Sequence, residues 1–123
     1  MMQIKHCLII DDDEDDQEIF MMCVGKISKN IDCMAISDCV EALSMMKTTP
    51  GYTPDYIFLD VNMPKMNGLA CLKELKRIER LKNAKIMMYS TTSEKSVYEE
   101  SKHLGATDFI IKPANIAELK TRL

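Results

Sequence analysis

The sequence lacks the features that mark several common protein classes. No apolar run approaches the roughly 20 residues of a membrane span, so we expect no membrane association. The apolar stretch at residues 4–10 is short and contains Lys5 and His6, which argues against a signal peptide. Basic residues are not in excess: the net charge is -3, which argues against direct nucleic-acid binding.

The sequence also lacks any cysteine pair in a C-x-x-C arrangement. Its five cysteines are an odd number without such a motif, which predicts neither a disulfide framework nor a zinc knuckle. They are Cys7, Cys23, Cys33, Cys39 and Cys71. We interpret them as small buried apolar residues in a reducing compartment, and we expect a cytoplasmic protein.

The sequence does contain an alternation of short apolar runs and amphipathic segments. Apolar runs predict strands at residues 4–10, 33–37, 56–59, 85–89 and 107–111. The apolar residues at helical spacing, which predict five helices between and after these strands, are Ile19, Phe20, Cys23, Val24 and Ile27; Val40, Leu43 and Met46; Leu69, Leu72, Leu75 and Ile78; Val97 and Leu104; and Ile116, Leu119 and Leu123. Such alternation predicts one α/β domain over residues 1–123, with parallel strands, right-handed crossovers and helices on both faces of the sheet.

Polar residues mark the predicted starts of three helices. Asp38 precedes Glu41 in a capping-box-like pattern, Asn115 stands in the same relation to Glu118, and Ser93 can cap a helix that stops at Gly105. The acids at 13–16 are expected to be solvated residues of a helix N-terminus. An EF-hand fits poorly, because its glycine and glutamate positions hold Asp16 and Met22.

The residues that end the apolar strands are the candidates for function. Strand one ends in Asp11 and Asp12, strand three in Asp60, strand four in Ser90 and strand five in Lys112. Ligands of open parallel sheets bind at this edge, and the ends of neighbouring strands lie roughly 5 Å apart. Three converging carboxylates repel one another unless a hard cation such as Mg²⁺ binds them. An aspartate can act as a nucleophile while a lysine and a hydroxyl neutralise phosphoryl oxygens, so the set predicts phosphoryl transfer to a carboxylate.

Each of these residues has an ordinary explanation when it is taken alone. Asp60 could be a helix cap or a turn residue, Lys112 a surface lysine and Ser90 a loop hydroxyl. Their joint occurrence at strand ends on one edge of the sheet favours a site.

The motifs resemble the receiver domain of bacterial response regulators, the CheY-like family, over essentially the whole chain. The shared elements are Leu8-Ile9-Ile10-Asp11-Asp12, Leu59-Asp60-Val61-Asn62-Met63-Pro64, Gly68, Met88-Tyr89-Ser90 and Lys112-Pro113. The resemblance implies a doubly wound five-stranded sheet of flavodoxin-like order 2-1-3-4-5.

The resemblance also implies a role for each matching residue. Asp60 would be the phosphoacceptor, Lys112 would bind phosphoryl oxygens, and Pro113 would follow it through a cis peptide. Asp12 would ligate Mg²⁺ or Mn²⁺ together with Asp60, with Asp11 assisting. The backbone carbonyl of Asn62 would complete the protein's ligands to the metal, and Ser90 and Phe109 would form the switch pair.

The implied function is two-component signalling. A histidine kinase or phosphotransfer protein would donate the phosphoryl group, and the domain would catalyse its own phosphorylation and dephosphorylation without being an enzyme for other substrates. The face of the fourth helix, fifth strand and fifth helix would then bind a downstream protein or a second copy. That face holds Val97, Tyr98, His103, Phe109 and Ile116.

Two departures and two alternatives accompany this interpretation. Ser90 replaces the commoner threonine but keeps the hydroxyl, and Thr91 stands where many relatives have alanine or glycine, so it could crowd the site. A metal-dependent phosphohydrolase would use Asp-x-Asp, where this chain has Asp60-Val61-Asn62; turnover of small phosphoesters separates it from a receiver. A scaffold that no longer accepts phosphate is opposed by the complete set of acceptor residues.

Overall fold

Strands and helices alternate along the whole of the computed structural model, which describes residues 3–123. The first two residues of the predicted domain therefore lie outside the described residues. The elements are β1 (Lys5–Ile10), α1 (Glu14–Ile27), β2 (Ile31–Ile36), α2 (Cys39–Thr48), β3 (Tyr56–Leu59), α3 (Gly68–Leu75), β4 (Lys85–Ser90), α4 (Lys95–His103), β5 (Asp108–Ile111) and α5 (Ile116–Lys120), with a 3₁₀ turn at Glu79–Leu81.

The five strands form one parallel sheet of order β2-β1-β3-β4-β5, which confirms the predicted fold. The register aligns the ends of the strands that carry the candidate residues. Ile10 of β1 pairs with Leu59 of β3, so the next residues, Asp11 and Asp60, are neighbours. Ser90 of β4 pairs with the last residue of β5, and Lys112 follows directly.

Alternate residues of the strands enter two cores, one on each face of the sheet. On one face, Leu8, Ile57 and their neighbours pack against α2, α3 and the inner side of α4. On the other face, Phe58 and its neighbours pack against α1 and α5. Burial on both sides explains why the three central strands β1, β3 and β4 are apolar runs without polar alternation.

Two of the predicted inner helix faces are displaced in the structure. In α1, Phe20 and Val24 are buried, but Ile19 is 52% exposed. In α2 the buried residues are Cys39, Ala42 and Met46, and Val40 is 49% exposed. Neighbouring helical residues are about 100° apart, so a stripe displaced by one residue turns such a side chain outward.

The predicted helix starts are confirmed at two positions and wrong at a third. The carboxylate of Asp38 accepts the backbone N–H of Glu41, and the side chain of Asn115 accepts that of Glu118. Ser93 does not cap α4, because the helix begins at Lys95 with Glu94 at the cap position and no side-chain cap bond. Gly105 follows that helix with a φ of +98°, where glycine is favoured.

The prediction that the chain has no disulfide is wrong for one pair of cysteines. Cys39 at the start of α2 and Cys71 in α3 are bonded, with Cα atoms 5.9 Å apart and a sequence separation of 32. Both lie fully buried in the core that α2 and α3 share. The free cysteines are Cys7, Cys23 and Cys33. Spacing along the chain contained no signal for this pairing, because it depends on two helices meeting over one face of the sheet.

No helix within residues 3–123 is both long enough and apolar enough to cross a membrane.

Candidate functional site

Asp11, Asp12 and Asp60 form an acidic cluster at the carboxyl edge of the sheet. Sheet-like hydrogen bonds hold its two buried members: Asp11 N–H donates to the Ile36 carbonyl, and Asp60 N–H donates to the Ile10 carbonyl, both at 3.0 Å. Carboxylate oxygens of the three aspartates lie within 4.8 Å of one another. Asp11 is fully buried and Asp60 is 7% exposed, whereas Asp12 is exposed. The cluster is therefore an acidic pocket with one side open to solvent.

Lys112 brings a positive charge into this pocket from the end of β5. Its backbone N–H donates to the Ser90 carbonyl at 2.9 Å, and its peptide bond to Pro113 is cis, as predicted. The Nζ atom lies 2.5 Å from Asp11 Oδ2 and 3.6 Å from Asp60 Oδ2. It also lies 5.4 Å from the centre of the Tyr89 ring, a geometry that favours a cation.

Burial and charge act in opposite directions on the titration of these groups. Burial raises the pKa of Asp11 and of Asp60 above their ordinary values, and the ammonium of Lys112 partly opposes both shifts. A hydrogen bond with Ser90 also lowers the pKa of Asp60. Burial alone would lower the pKa of Lys112, but the hydrogen bonds that its ammonium donates to Asp11 and Asp16 raise it, so the ammonium stays charged. The pocket therefore holds one fixed positive charge among several carboxylates.

The first turn of α3 packs against the backbone of Asp60 and Val61. Gly68 N–H donates to the Val61 carbonyl at 2.7 Å. A Cβ atom on Gly68 would lie 2.0 Å from the backbone oxygen of Asp60, so only glycine fits this approach. Asn67 caps the helix by accepting the Ala70 N–H. The glycine of the sequence motif thus fixes the position of the acidic strand end.

The structure brings five of the predicted site residues together. Asp11, Asp12, Asp60, Lys112 and the fully buried Ser90 meet at the strand ends. Asn62 is exposed in the loop after β3. Phe109 is half-buried on β5, where its ring packs edge-on against Tyr98 with centroids 5.8 Å apart. Thr91 is exposed.

The sequence analysis missed Asp16, which it treated as a solvated acid. Its carboxylate lies 3.0 Å from Lys112 Nζ, and its side chain is 35% exposed. The signal was present in its position: one turn into a helix that begins directly after the acidic strand end, a residue can point back over that end. Charge alone did not separate it from its exposed neighbours Asp13, Glu14 and Asp15.

Comparison with known proteins agrees with this geometry. Residues 7–123 match the family model described as the response regulator receiver domain. The chain is 39% identical over 62 residues to the chemotaxis protein CheY of Bacillus subtilis, a match that covers 50% of each protein. The chain spans about half the length of the first curated relatives it matches.

Solved structures give the same result at the level of the fold. The chemotaxis protein CheY4 of Vibrio cholerae superimposes with a TM-score of 0.85 at 25% identity, covering 97% of this chain and 95% of that protein. A CheX–CheY–BeF₃–Mg complex from Borrelia burgdorferi gives a TM-score of 0.81 at 30% identity, covering 96% of this chain and 85% of that one. The chain therefore belongs to the family of response regulator receiver domains, the CheY-like proteins of two-component signalling.

Proposed function

We propose that this domain, over residues 1–123, accepts a phosphoryl group on Asp60 from a histidine kinase or a histidine phosphotransfer protein. The observation that carries the proposal is the convergence of Asp60, Asp11, Asp12, Lys112 and Ser90 at the ends of four neighbouring strands. A carboxylate oxygen of Asp60 forms the new bond to phosphorus while the bond between phosphorus and the donor's imidazole nitrogen breaks. The proposal includes catalysis by the domain of its own phosphorylation and dephosphorylation, and a cytoplasmic location beside the kinase.

The chemistry of the donor set fits a divalent cation, Mg²⁺ or Mn²⁺. Asp11, Asp12 and Asp60 offer oxygens within 4.8 Å of one another, and hard cations prefer such ligands. These three side chains and the backbone carbonyl of Asn62 would hold the ion. When bound, the ion would neutralise negative charge between the carboxylates and the phosphoryl oxygens.

Two further residues act directly on the phosphoryl group in this proposal. Lys112 provides an ammonium that is already held 3.6 Å from Asp60 and that remains charged because carboxylates surround it. Ser90 provides a buried hydroxyl that can donate to a phosphoryl oxygen. Both groups are preorganised by the sheet, since β4 and β5 pair up to Ser90 and Ile111.

The signal would leave through the α4-β5-α5 face, which carries Val97, Tyr98, His103, Phe109 and Ile116. Met88 pairs with Phe109 and Ser90 with Ile111, so Ser90 and Phe109 are two residue positions apart on one side of the sheet. A cavity of about 110 Å³ lined by Tyr98, Ser101 and Phe109 among others adjoins the ring. Movement of Ser90 toward a phosphoryl group would let the ring shift, and the exposed Tyr98 and Ile116 would present a changed surface to a downstream protein or a second copy.

Intact-mass measurement after incubation with acetyl phosphate and Mg²⁺ tests the proposal. The wild type is expected to gain one phosphoryl group, and the gain should fall when a chelator replaces the metal. Asp60→Asn should gain none. Asp55→Asn is the matched control, because Asp55 lies just before the opposite end of β3. Equal labelling of wild type and Asp60→Asn would refute the assignment.

A further inference from the structure

The ammonium of Lys112 is divided among three carboxylates. Its Nζ atom lies 2.5 Å from Asp11, 3.0 Å from Asp16 and 3.6 Å from Asp60. The first two distances are hydrogen bonds, and the third is too long to be one. An ammonium has three N–H donors, and Asp11 and Asp16 accept hydrogen bonds from two of them. These two bonds keep the Nζ atom of Lys112 beyond hydrogen-bond distance of Asp60.

Asp16 is placed over the pocket by the first turn of α1. Its backbone N–H donates to the capping carboxylate of Asp13 at 3.1 Å. The next residue, Gln17, ties the helix to the strand end: its Nε2 donates to the Asp11 carbonyl at 2.5 Å and reaches Ser37 Oγ at 3.4 Å. These bonds fix the backbone at the start of α1, so the carboxylate of Asp16 is held beside Lys112.

Asp16 has no role in the acceptor chemistry described above. Asp16 is not in the group of aspartates whose oxygens converge for a cation, which are Asp11, Asp12 and Asp60. Its carboxylate pairs with Lys112. Its charge also adds to the negative potential that an incoming phosphoryl group must overcome.

We propose that Asp16 is a positioning residue that retains Lys112 in the unphosphorylated domain and so weakens the binding of a phosphoryl group at Asp60. This inference rests on the proposed function. When a phosphoryl group is present, its oxygens compete with Asp16 for the ammonium, and the ion pair between Asp16 and Lys112 breaks. The cost of breaking that pair sets how readily the site is occupied.

Titration with beryllofluoride, a phosphoryl mimic, in the presence of Mg²⁺ tests the inference through binding alone. NMR chemical shifts of the wild type, Asp16→Asn, Asp16→Glu and Asp15→Asn would give the half-saturating concentration of each. Asp16→Asn keeps the size of the side chain and removes its charge, and it should lower that concentration about fivefold, the scale of one partly exposed ion pair.

The other two variants separate this specific effect from others. Asp15→Asn removes the same charge from an exposed neighbour in the same turn, so it should change the concentration less than twofold. Asp16→Glu restores a carboxylate that can reach Lys112 and should behave as the wild type. Thermal unfolding of all four proteins checks that the fold is retained. If Asp16 had a purely structural role, Asp16→Glu would not restore the affinity of the wild type.

The outcomes separate the role of Asp16 from the proposed phosphorylation of Asp60 on which it rests. A wild type that binds no beryllofluoride would overturn the proposed function, and this inference with it. A wild type that binds, with Asp16→Asn equal to it or weaker, would overturn the inference alone. An equal gain in Asp15→Asn would do the same, because long-range charge would then explain the effect.

Discussion

At position 68 a glycine is required because the first turn of α3 lies against the backbone of Asp60. A Cβ atom there would come within 2.0 Å of the Asp60 oxygen and 2.8 Å of the Val61 Cα atom. Both neighbours are backbone, so they cannot turn aside as a flexible side chain would.

Gly68→Ala is therefore expected to lower the free energy of unfolding by about 1–3 kcal/mol, the usual cost of forcing extra atoms into a packed site. It should also displace Asp60 and reduce labelling by acetyl phosphate. Gly25→Ala is the matched control, since a Cβ atom at Gly25 in α1 meets nothing within 4 Å. That control should stabilise the domain by roughly 0.5–1 kcal/mol. Denaturant unfolding of the wild type and the two variants measures these differences. If Gly68→Ala unfolds with the same free energy as the wild type, α3 does not pack against the backbone of Asp60 as described.

Among the elements, α2 and α3 are joined by the bond between Cys39 and Cys71. Thiols in the cytosol are usually kept reduced. In that compartment we expect Cys39 and Cys71 to be free thiols, which form the disulfide when the protein is oxidised. Alkylation of the unfolded, oxidised protein should modify three cysteines, Cys7, Cys23 and Cys33, and alkylation after reduction should modify all five.

Reduction should lower the free energy of unfolding by about 2–4 kcal/mol, because the bond closes a long loop of the unfolded chain. The reductant should not change the free energy of unfolding of a Cys39→Ala/Cys71→Ala double variant. If all five cysteines of the oxidised wild type are alkylated without reductant, the two helices are not linked.

At the scale of the whole molecule, the proposed signal passes from the pocket at the strand ends to the α4-β5-α5 face. Binding of beryllofluoride with Mg²⁺ should change NMR shifts or amide exchange across residues 90–118, since Ser90 begins that segment and Phe109 lies within it. Asp60→Asn should remove these changes, as the proposed acceptor oxygen is then lost. Changes confined to the loops after Asp12 and Asp60 would mean that the signal does not leave through this face.

The fold was predictable from the sequence because its main determinants are local or periodic. Apolar runs marked every strand, and the polar residues at their ends fell at one edge once the strands were parallel. Asp38 and Asn115 marked helix starts through bonds made within a single turn. The family motifs supplied the strand order, which periodicity alone does not determine.

The features that the sequence did not predict depend on distances between elements. Cys39 and Cys71 meet because two helices share one face of the sheet, and nothing in their spacing indicates this. Asp16 differs from the acids around it only through its contact with Lys112 from the far end of the chain. Ile19 and Val40 were assigned inward because an apolar side chain one residue away from the buried stripe resembles a core residue in sequence.

The most direct test of the central claim locates the phosphoryl group itself. The domain would be labelled with acetyl phosphate and Mg²⁺, reduced with borohydride, which converts an aspartyl phosphate to homoserine, and mapped by peptide mass spectrometry. We expect homoserine at position 60 alone, with Asp11, Asp12 and Asp16 unmodified. Homoserine at one of those three positions, or none anywhere in a labelled protein, would contradict it.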